Sequence, residues 1–242
     1  MDGKRETRHR EANKAMVNSK SIRIRRSEKG NSMLEFGLAA SFLIPVMAGA
    51  FTVGMTLVKG IQAGNVAHDA NILMVRGVDL SQTMNQQIVV RTADGFSMGL
   101  ANGNPNPSGP GAVILTQVTY VGDQTCAKGV TPTPPSPVTW SSANCPNYHQ
   151  YVIASRIYIG NSTRFTSVLG NPSPNPPTAS NGQISAQDVA MNTGDQIANC
   201  NTVLNLTLTA DQYTYVSEGF FDISYLNIFN LTAPILYVRN LS

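Results

Sequence analysis

Hydrophobic and polar positions fall into three regimes along this chain. From Phe36 to Val58, 23 residues pass without one ionisable side chain. At about 1.5 Å per residue a helix of that length reaches roughly 35 Å, enough for a bilayer core of about 30 Å. Residues 59–78 then keep helical spacing through Ile61, Val66, Ala70, Leu73 and Met74, which predicts that the helix runs on past the apolar stretch. A second amphipathic helix is predicted over 81–98 through Met84, Ile88, Val89, Ala93 and Phe96. The Gly-, Asn- and Pro-rich segment 101–110 ends that regime, because proline removes donors and glycine permits turns.

Beyond it the pattern becomes extended. Segments 113–121, 151–159, 203–209, 213–216 and 220–228 are rich in Val, Ile, Thr, Tyr and Phe with partial alternation, and are predicted as strands. Pro- and Asn-rich loops such as 171–177 separate them. An antiparallel sheet packed on the helix follows, since hairpins and meanders need no crossover helices. The expected fold is α+β, a long N-terminal membrane-spanning helix followed by a small extracytoplasmic domain with an antiparallel sheet. Its segments are a basic cytoplasmic leader (1–30), the span (31–58), a helical extension with a second helix (59–100) and a β-rich domain (101–242). With ~180 residues outside leader and span, many of them in loops, one modest core is all the outer part can build.

Charge orients this arrangement. Residues 1–30 hold ten basic and four acidic side chains, whereas the remaining 212 hold seven and ten, so a net charge of +3 conceals a leader of +6 and a remainder of −3. Basic residues before the span place the N-terminus in the cytoplasm by the positive-inside rule. A nucleic-acid arm is the other reading of such a segment, but it contains no aromatic residue and abuts the span. The apolar run is also longer than the 7–15-residue core of a secretory signal, and no small-x-small cleavage pattern closes it. Pro45 removes one hydrogen bond inside the span, which admits either a local bend or the ordinary tolerance of proline in membranes. Gly37, Ala40, Ser41, Gly49, Ala50 and Gly54 leave parts of its surface small enough for close helix contact.

Glu35 stands alone at the head of the apolar run. A charged side chain at mid-membrane costs roughly 2.5–3.5 kcal/mol and less near the interface, so this carboxylate calls for a partner. A cut after Gly30 would give Asn31 a positively charged amine four residues before Glu35. Among parallel helices, that amine would meet the Glu35 of a neighbouring subunit, where low dielectric strengthens the pairing.

The order of a basic leader, Gly30, Asn31-Ser32-Met33-Leu34, Glu35, Phe36 and an apolar helix resembles the processing site of type IV pilins and pseudopilins. It is most similar to the TadE-like proteins of the tight-adherence (Flp) pilus system. Pro45, the Val75-Arg76-Gly77 segment, and the tail from Gly219 to Tyr225 followed by Pro234-Ile235-Leu236 resemble features of the same family. The resemblance covers residues 22–77 well, the tail moderately and residues 100–200 hardly at all. It implies a non-enzymatic pseudopilin or pilus-assembly component of the bacterial inner membrane, single-pass and with no cofactor. It further implies processing between Gly30 and Asn31 by a prepilin peptidase, Glu35 and Phe36 acting in assembly, and other pilins, pseudopilins and assembly machinery as partners, with no nucleic acid. The length argues against a major Flp-type pilin, which is typically much shorter.

Cys126, Cys145 and Cys200 all fall on the outer side, in a compartment that tolerates disulfides. Three pairings are open, each leaving one cysteine over. The Pro-, Ser- and Thr-rich loop between Cys126 and Cys145 favours that bridge, whose closure stabilises by about 3 kcal/mol in the chain-entropy model. A metal site of Cys126, Cys145 and His149 lacks a Cys-x-x-Cys pair.

The rival reading is a single-span envelope protein whose outer domain binds or hydrolyses a ligand, with Glu35 a bystander. Gly95-Phe96-Ser97-Met98-Gly99 satisfies the pattern of a hydrolase nucleophile elbow, but the following segment cannot form the required helix. Ser97 fits better as a helix-end residue. Asp79-Leu80-Ser81 weakly resembles the metal-binding loop of von Willebrand type A domains and is expected instead to cap the second helix. Asn161, Asn205 and Asn230 satisfy the glycosylation pattern formally, as chance allows in an Asn- and Thr-rich chain.

Overall fold

A computed structural model describes residues 28–130, 138–175, 177, 179–198, 200–223 and 235–242. The basic leader over 1–27, the middle of the loop between Cys126 and Cys145, Asn230 and the whole of 224–234 lie outside the described residues. The expected strand 220–228 and the tail resemblance are therefore described only in part.

The chain divides into two compact units, Met1–Met55 and Thr56–Ser242. Helix α1 (Glu28–Val75) begins in the first and ends in the second, unbroken through Pro45. Its end is set by a glycine in the left-handed region, Gly77 at φ 76°. The Gly77 amide donates to the Met74 carbonyl and the Val78 amide to the Leu73 carbonyl, both at 3.0 Å. This crossed pair satisfies carbonyls that the helix end would otherwise strand.

Within the second unit, Ala63, Val66, Ala67, Ala70 and Met74 are buried on one face of α1, at the i, i+3, i+4, i+7 spacing of an amphipathic helix. They pack on four antiparallel strands in the order β4-β3-β5-β6: β3 (Gly111–Tyr120), β4 (Tyr151–Gly160), β5 (Tyr213–Asp222) and β6 (Ile235–Leu241). Val113, Leu115, Ile159, Phe221 and Ile223 meet the helix in one core, with Leu236 and Val238 packed at its margin. Polar bonds fix the helix on the sheet: Ser217 Oγ donates to the Ala67 carbonyl at 2.5 Å, and Asn71 Nδ2 to Asn240 Oδ1 at 3.2 Å. The opposite sheet face carries Ala112, Ile114 and Phe220 under Phe165, and Val118, Ile153 and Val216 under Leu169, Cys200 and Leu204. This is an α+β, pilin-like architecture in which a long apolar helix packs by its C-terminal portion on a four-stranded antiparallel sheet. A small ribbon of β1 (Leu100–Ala101) and β2 (Asn104–Pro105) precedes it.

Four sequence expectations change. The second helix, α2, covers only Thr83–Thr92 and is followed by a 3-10 turn at Asp94–Phe96. Gly95 disfavours helix, and Phe96 leaves the helical path to stack on Phe221 with centroids 4.2 Å apart. Asp79 does not cap α2, whose N-cap is Gln82. It closes the turn before it, Oδ1 accepting from the Ser81 amide at 3.0 Å. Segment 203–209 is not a strand. Its start belongs to a short helix, α5 (Cys200–Leu204), and Asn205 sits at φ 49°, because Cys200 and Leu204 are held down on the sheet by packing that overrides β propensity. Segments 213–216 and 220–228 do not begin two strands but join in β5. Ser217-Glu218-Gly219 read as a break, yet Glu218 is internally satisfied and a Cβ on Gly219 would lie 2.8 Å from Phe221 and 2.9 Å from Val238.

Two short helices were not among the sequence expectations, α3 (Asp123–Gly129) and α4 (Ala186–Met191), although Ser185 and Asp188 have the spacing of a capping box and cap the start of α4. The N-cap of α3 is Gly122, which has no side chain to offer, and Asp211 supplies the cap across the fold. Its carboxylate accepts from the amides of Gly122 (3.2 Å), Gln124 (3.0 Å) and Thr125 (2.8 Å) and from the Thr125 hydroxyl (2.7 Å). Burial raises the Asp211 carboxyl, but these four donors outweigh it and hold it below the ordinary carboxylate value. A depressed folded pKa stabilises above the unfolded value of about 3.9 and loses that contribution as pH falls through the folded one. Asp211→Ala is expected to cost about 1–2 kcal/mol in denaturant unfolding at neutral pH. The gap between variant and parent should close as pH drops below about 4.

Candidate functional site

The apolar stretch of α1, most of it in the first unit, is the feature that most needs a function. Residues 33–58 of α1 carry large apolar side chains on every side, and none of the best apolar window is buried. Met33 is 83% exposed, Phe36 75%, Phe42 73% and Met47 63%. Successive residues turn by about 100°, so these positions circle the helix rather than forming a stripe. An apolar surface that size is not left to water; it marks a membrane or a set of neighbouring helices. The polar atoms within it are accounted for. Ser41 Oγ donates to the Leu38 carbonyl and Thr52 Oγ1 to the Ala48 carbonyl, both at 2.7 Å, so hydrocarbon would strand neither hydroxyl. A Cβ added at Gly37, Gly49 or Gly54 would meet nothing within 4 Å, so no packing inside the chain requires those glycines.

Gly30, Asn31, Glu35 and Phe36 all lie in α1. Glu35 and Phe36 are exposed. Positions 31 and 35 are about one helical turn apart along α1. A helix starting at Asn31 would hold Glu35 close to its N-terminus, where the macrodipole favours a carboxylate.

The other chemistry singled out in the sequence lies elsewhere. Cys126 and Cys145 are joined in a disulfide with Cα atoms 5.9 Å apart, which removes both thiolates from any metal site with His149. His149 stacks on Tyr148 at 3.9 Å. Cys200 is a buried free thiol that burial pushes up to about 11. Ser97 ends the 3-10 turn at φ 57°, with helix before it and the β1–β2 ribbon after it, so the strand–turn–helix of a nucleophile elbow is not formed around it. Among the described residues no group of three or more His, Cys, Asp and Glu side chains is placed to hold a metal ion.

Sequence reasoning missed a second polar feature, two charges in the outer sheet face. Glu218 is fully buried and accepts from the Ser167 hydroxyl, the Val168 amide at 3.0 Å and the Tyr237 hydroxyl at 3.0 Å. Burial and Glu218 together push the Tyr237 phenol upward. Arg156 is 1% exposed and donates from Nη2 to the Gly170 carbonyl at 3.0 Å, while its Nε and Nη1 have no partner among the described residues. Burial lowers its pKa, and Tyr158 and Glu218 counteract that. A groove of about 510 Å3 runs past Arg156, Tyr158, Ser162, Asn175 and Ser180. The period-2 pattern marked the strands but not which charges would be enclosed, because that depends on loop 161–175, which leaves β4 and folds back over Arg156 and Glu218.

A charge in the middle of the span tests the role of the first unit. Met47→Arg is expected to oppose membrane insertion by about 2.5–3.5 kcal/mol. Alkaline extraction of membranes should move the variant, and not the parent, into the soluble fraction. Compared with protein-family models, curated proteins and solved structures, the chain matches none.

Proposed function

We propose that this chain is a membrane-anchored pilin-like subunit, a TadE-like pseudopilin or assembly component of a tight-adherence pilus system, without enzymatic activity. The observation that carries the reading is α1: apolar on every side over 33–58, then one-faced over 63–74 where it packs on the sheet. One helix thereby serves as both an anchor and the spine of a small β domain. Ten basic side chains precede its apolar stretch, which orients the N-terminus to the cytoplasm. The Cys126–Cys145 disulfide fits an extracytoplasmic outer domain.

In this reading a prepilin peptidase cuts between Gly30 and Asn31, and the mature helix docks among other pilins or pseudopilins in the inner membrane. Glu35 then pairs with the new Asn31 amine of a neighbour. In low dielectric such a pair is stronger than at a wet surface, and an unpaired carboxylate at the same depth is costly. Gly37, Gly49 and Gly54 permit close helix contact of the kind small residues give in membranes.

Intact-mass analysis of the protein from its native membrane is expected to show a chain beginning at Asn31; a mature protein retaining residues 1–30 would refute the cut. Glu35→Gln is expected to leave membrane insertion intact and to reduce co-purification of partner subunits at least tenfold. Unchanged co-purification would remove the pairing role while leaving the anchor.

A further inference from the structure

Strand β6 forms one edge of the sheet, and among the described residues nothing pairs with its outer side. Backbone geometry identifies which groups face outward. In an antiparallel pair, alternate residues exchange both hydrogen bonds with the neighbour and the others point away. Tyr215 and Ser242 exchange both bonds, each at 3.0 Å. Following the register, Asn240, Val238 and Leu236 are bonded to β5 opposite Ser217, Gly219 and Phe221. The N–H and C=O groups of Ile235, Tyr237, Arg239 and Leu241 therefore form a row that no described residue pairs.

The two edges are treated differently. Along β4 the Arg156 amide donates to Gly182 at 2.8 Å, the Ile184 amide to Ala154 at 2.9 Å and the Ile197 amide to Tyr151 at 2.9 Å, so loops close most of that side. Along β6 the register carries no bulge, the strand contains no proline, and Arg239 is its one charged residue. Bulges, prolines, repeated charges and covering loops are the usual means of blunting an edge, and among the described residues they protect one side only.

Side chains define what would fit. Leu236 and Val238 pack toward α1, and Asn240 bonds to Asn71. Ile235, Tyr237, Arg239 and Leu241 share the other face, and Ile235 is 51% exposed while Tyr237 and Leu241 are each 39% exposed. A second copy is a poor occupant. Joining two β6 strands antiparallel in one sheet needs a two-fold axis normal to that sheet, which reverses every direction in its plane, including that of the α1 residues lying on it. Copies anchored in one membrane emerge the same way, an argument that rests on the anchored reading, whereas the β6 row does not.

We propose that the outer edge of β6 takes an extended segment of a different protein as a fifth strand. That segment carries a carboxylate opposite Arg239 and apolar residues opposite Ile235, Tyr237 and Leu241. Main-chain bonds supply affinity in this mode and the alternate side chains supply selection.

Amide hydrogen exchange on the full chain in detergent tests it, with a nine-residue Thr/Val peptide bearing one Glu placed to face Arg239 as the probe. In the free chain the amides of Tyr237, Arg239 and Leu241 should exchange at least tenfold faster than those of Leu236, Val238 and Asn240. The peptide should slow the fast set at least tenfold, and replacing its Glu by Lys should weaken binding about tenfold at low salt. Arg239→Pro removes an outward N–H without removing a bond to β5, so it should abolish binding while exchange in β3 and β5 stays slow. Should that variant unfold, a peptide N-methylated at its edge-facing amides must fail to protect the unaltered chain.

Three results would overturn the proposal: no protection by the peptide, protection in the free chain at every concentration, or protection that rises with protein concentration. The second would mean the chain's own residues cover the edge, and the third that a second copy does. None of them bears on the mass of the mature chain or on its membrane insertion.

Discussion

The structure depends on one helix meeting two different surroundings. Over residues 33–58 the side chains of α1 are apolar in every direction, so that stretch is stable only where water is excluded all round. Over 63–74 the apolar positions narrow to Ala63, Val66, Ala67, Ala70 and Met74, and one face alone is buried, against β3, β4 and β5. The small residues at 63, 67 and 70 let the helix backbone approach the sheet, which is why the Ala67 carbonyl can accept from Ser217. Lys59 marks the region between the two stretches, its ammonium donating to the Gly95 carbonyl at 2.6 Å beside the ring of Phe96.

The outer domain solves a small-core problem with polar fastenings as well as apolar burial. The Cys126–Cys145 bond ties together the two ends of a Pro-, Ser- and Thr-rich segment, and Asp211 caps α3 through bonds to residues 86, 87 and 89 positions away in sequence. Glu218 lies inside the sheet face yet keeps three donors, so its burial does not leave an uncompensated carboxylate. Arg156 is less fully satisfied, with two guanidinium nitrogens lacking partners among the described residues. Buried atoms of this kind ordinarily bond to internal water.

The elements most legible in the sequence were those whose signal is local. The apolar run, the helical spacing through Met74, and the β-branched runs that became β3 and β4 depend on residues close together in the chain. Errors arose where a distant segment decided the outcome. Segment 203–209 has strand-like composition, but Cys200 and Leu204 find their burial against Val118, Ile153 and Val216 as a helical turn. Ser217-Glu218-Gly219 looked like an interruption because the donors to Glu218 lie at 167, 168 and 237. Gly95 and Phe96 ended α2 early because Phe221, 125 residues away, gives Phe96 an aromatic face to stack on.

The sequence by itself determined the long N-terminal apolar helix: 23 residues without an ionisable group, followed by helical spacing through Met74, require no tertiary information to specify it. Local composition is enough there because an apolar run on every side of a helix is written in consecutive residues and needs no distant segment to define it. Tertiary structure alone decided the strand order β4-β3-β5-β6, the enclosure of Arg156 and Glu218, and which sheet edge is covered. Those outcomes depend on which loop arrives over which strand. Hydrogen-bond pairing between segments more than 100 residues apart leaves no trace in the spacing of either one.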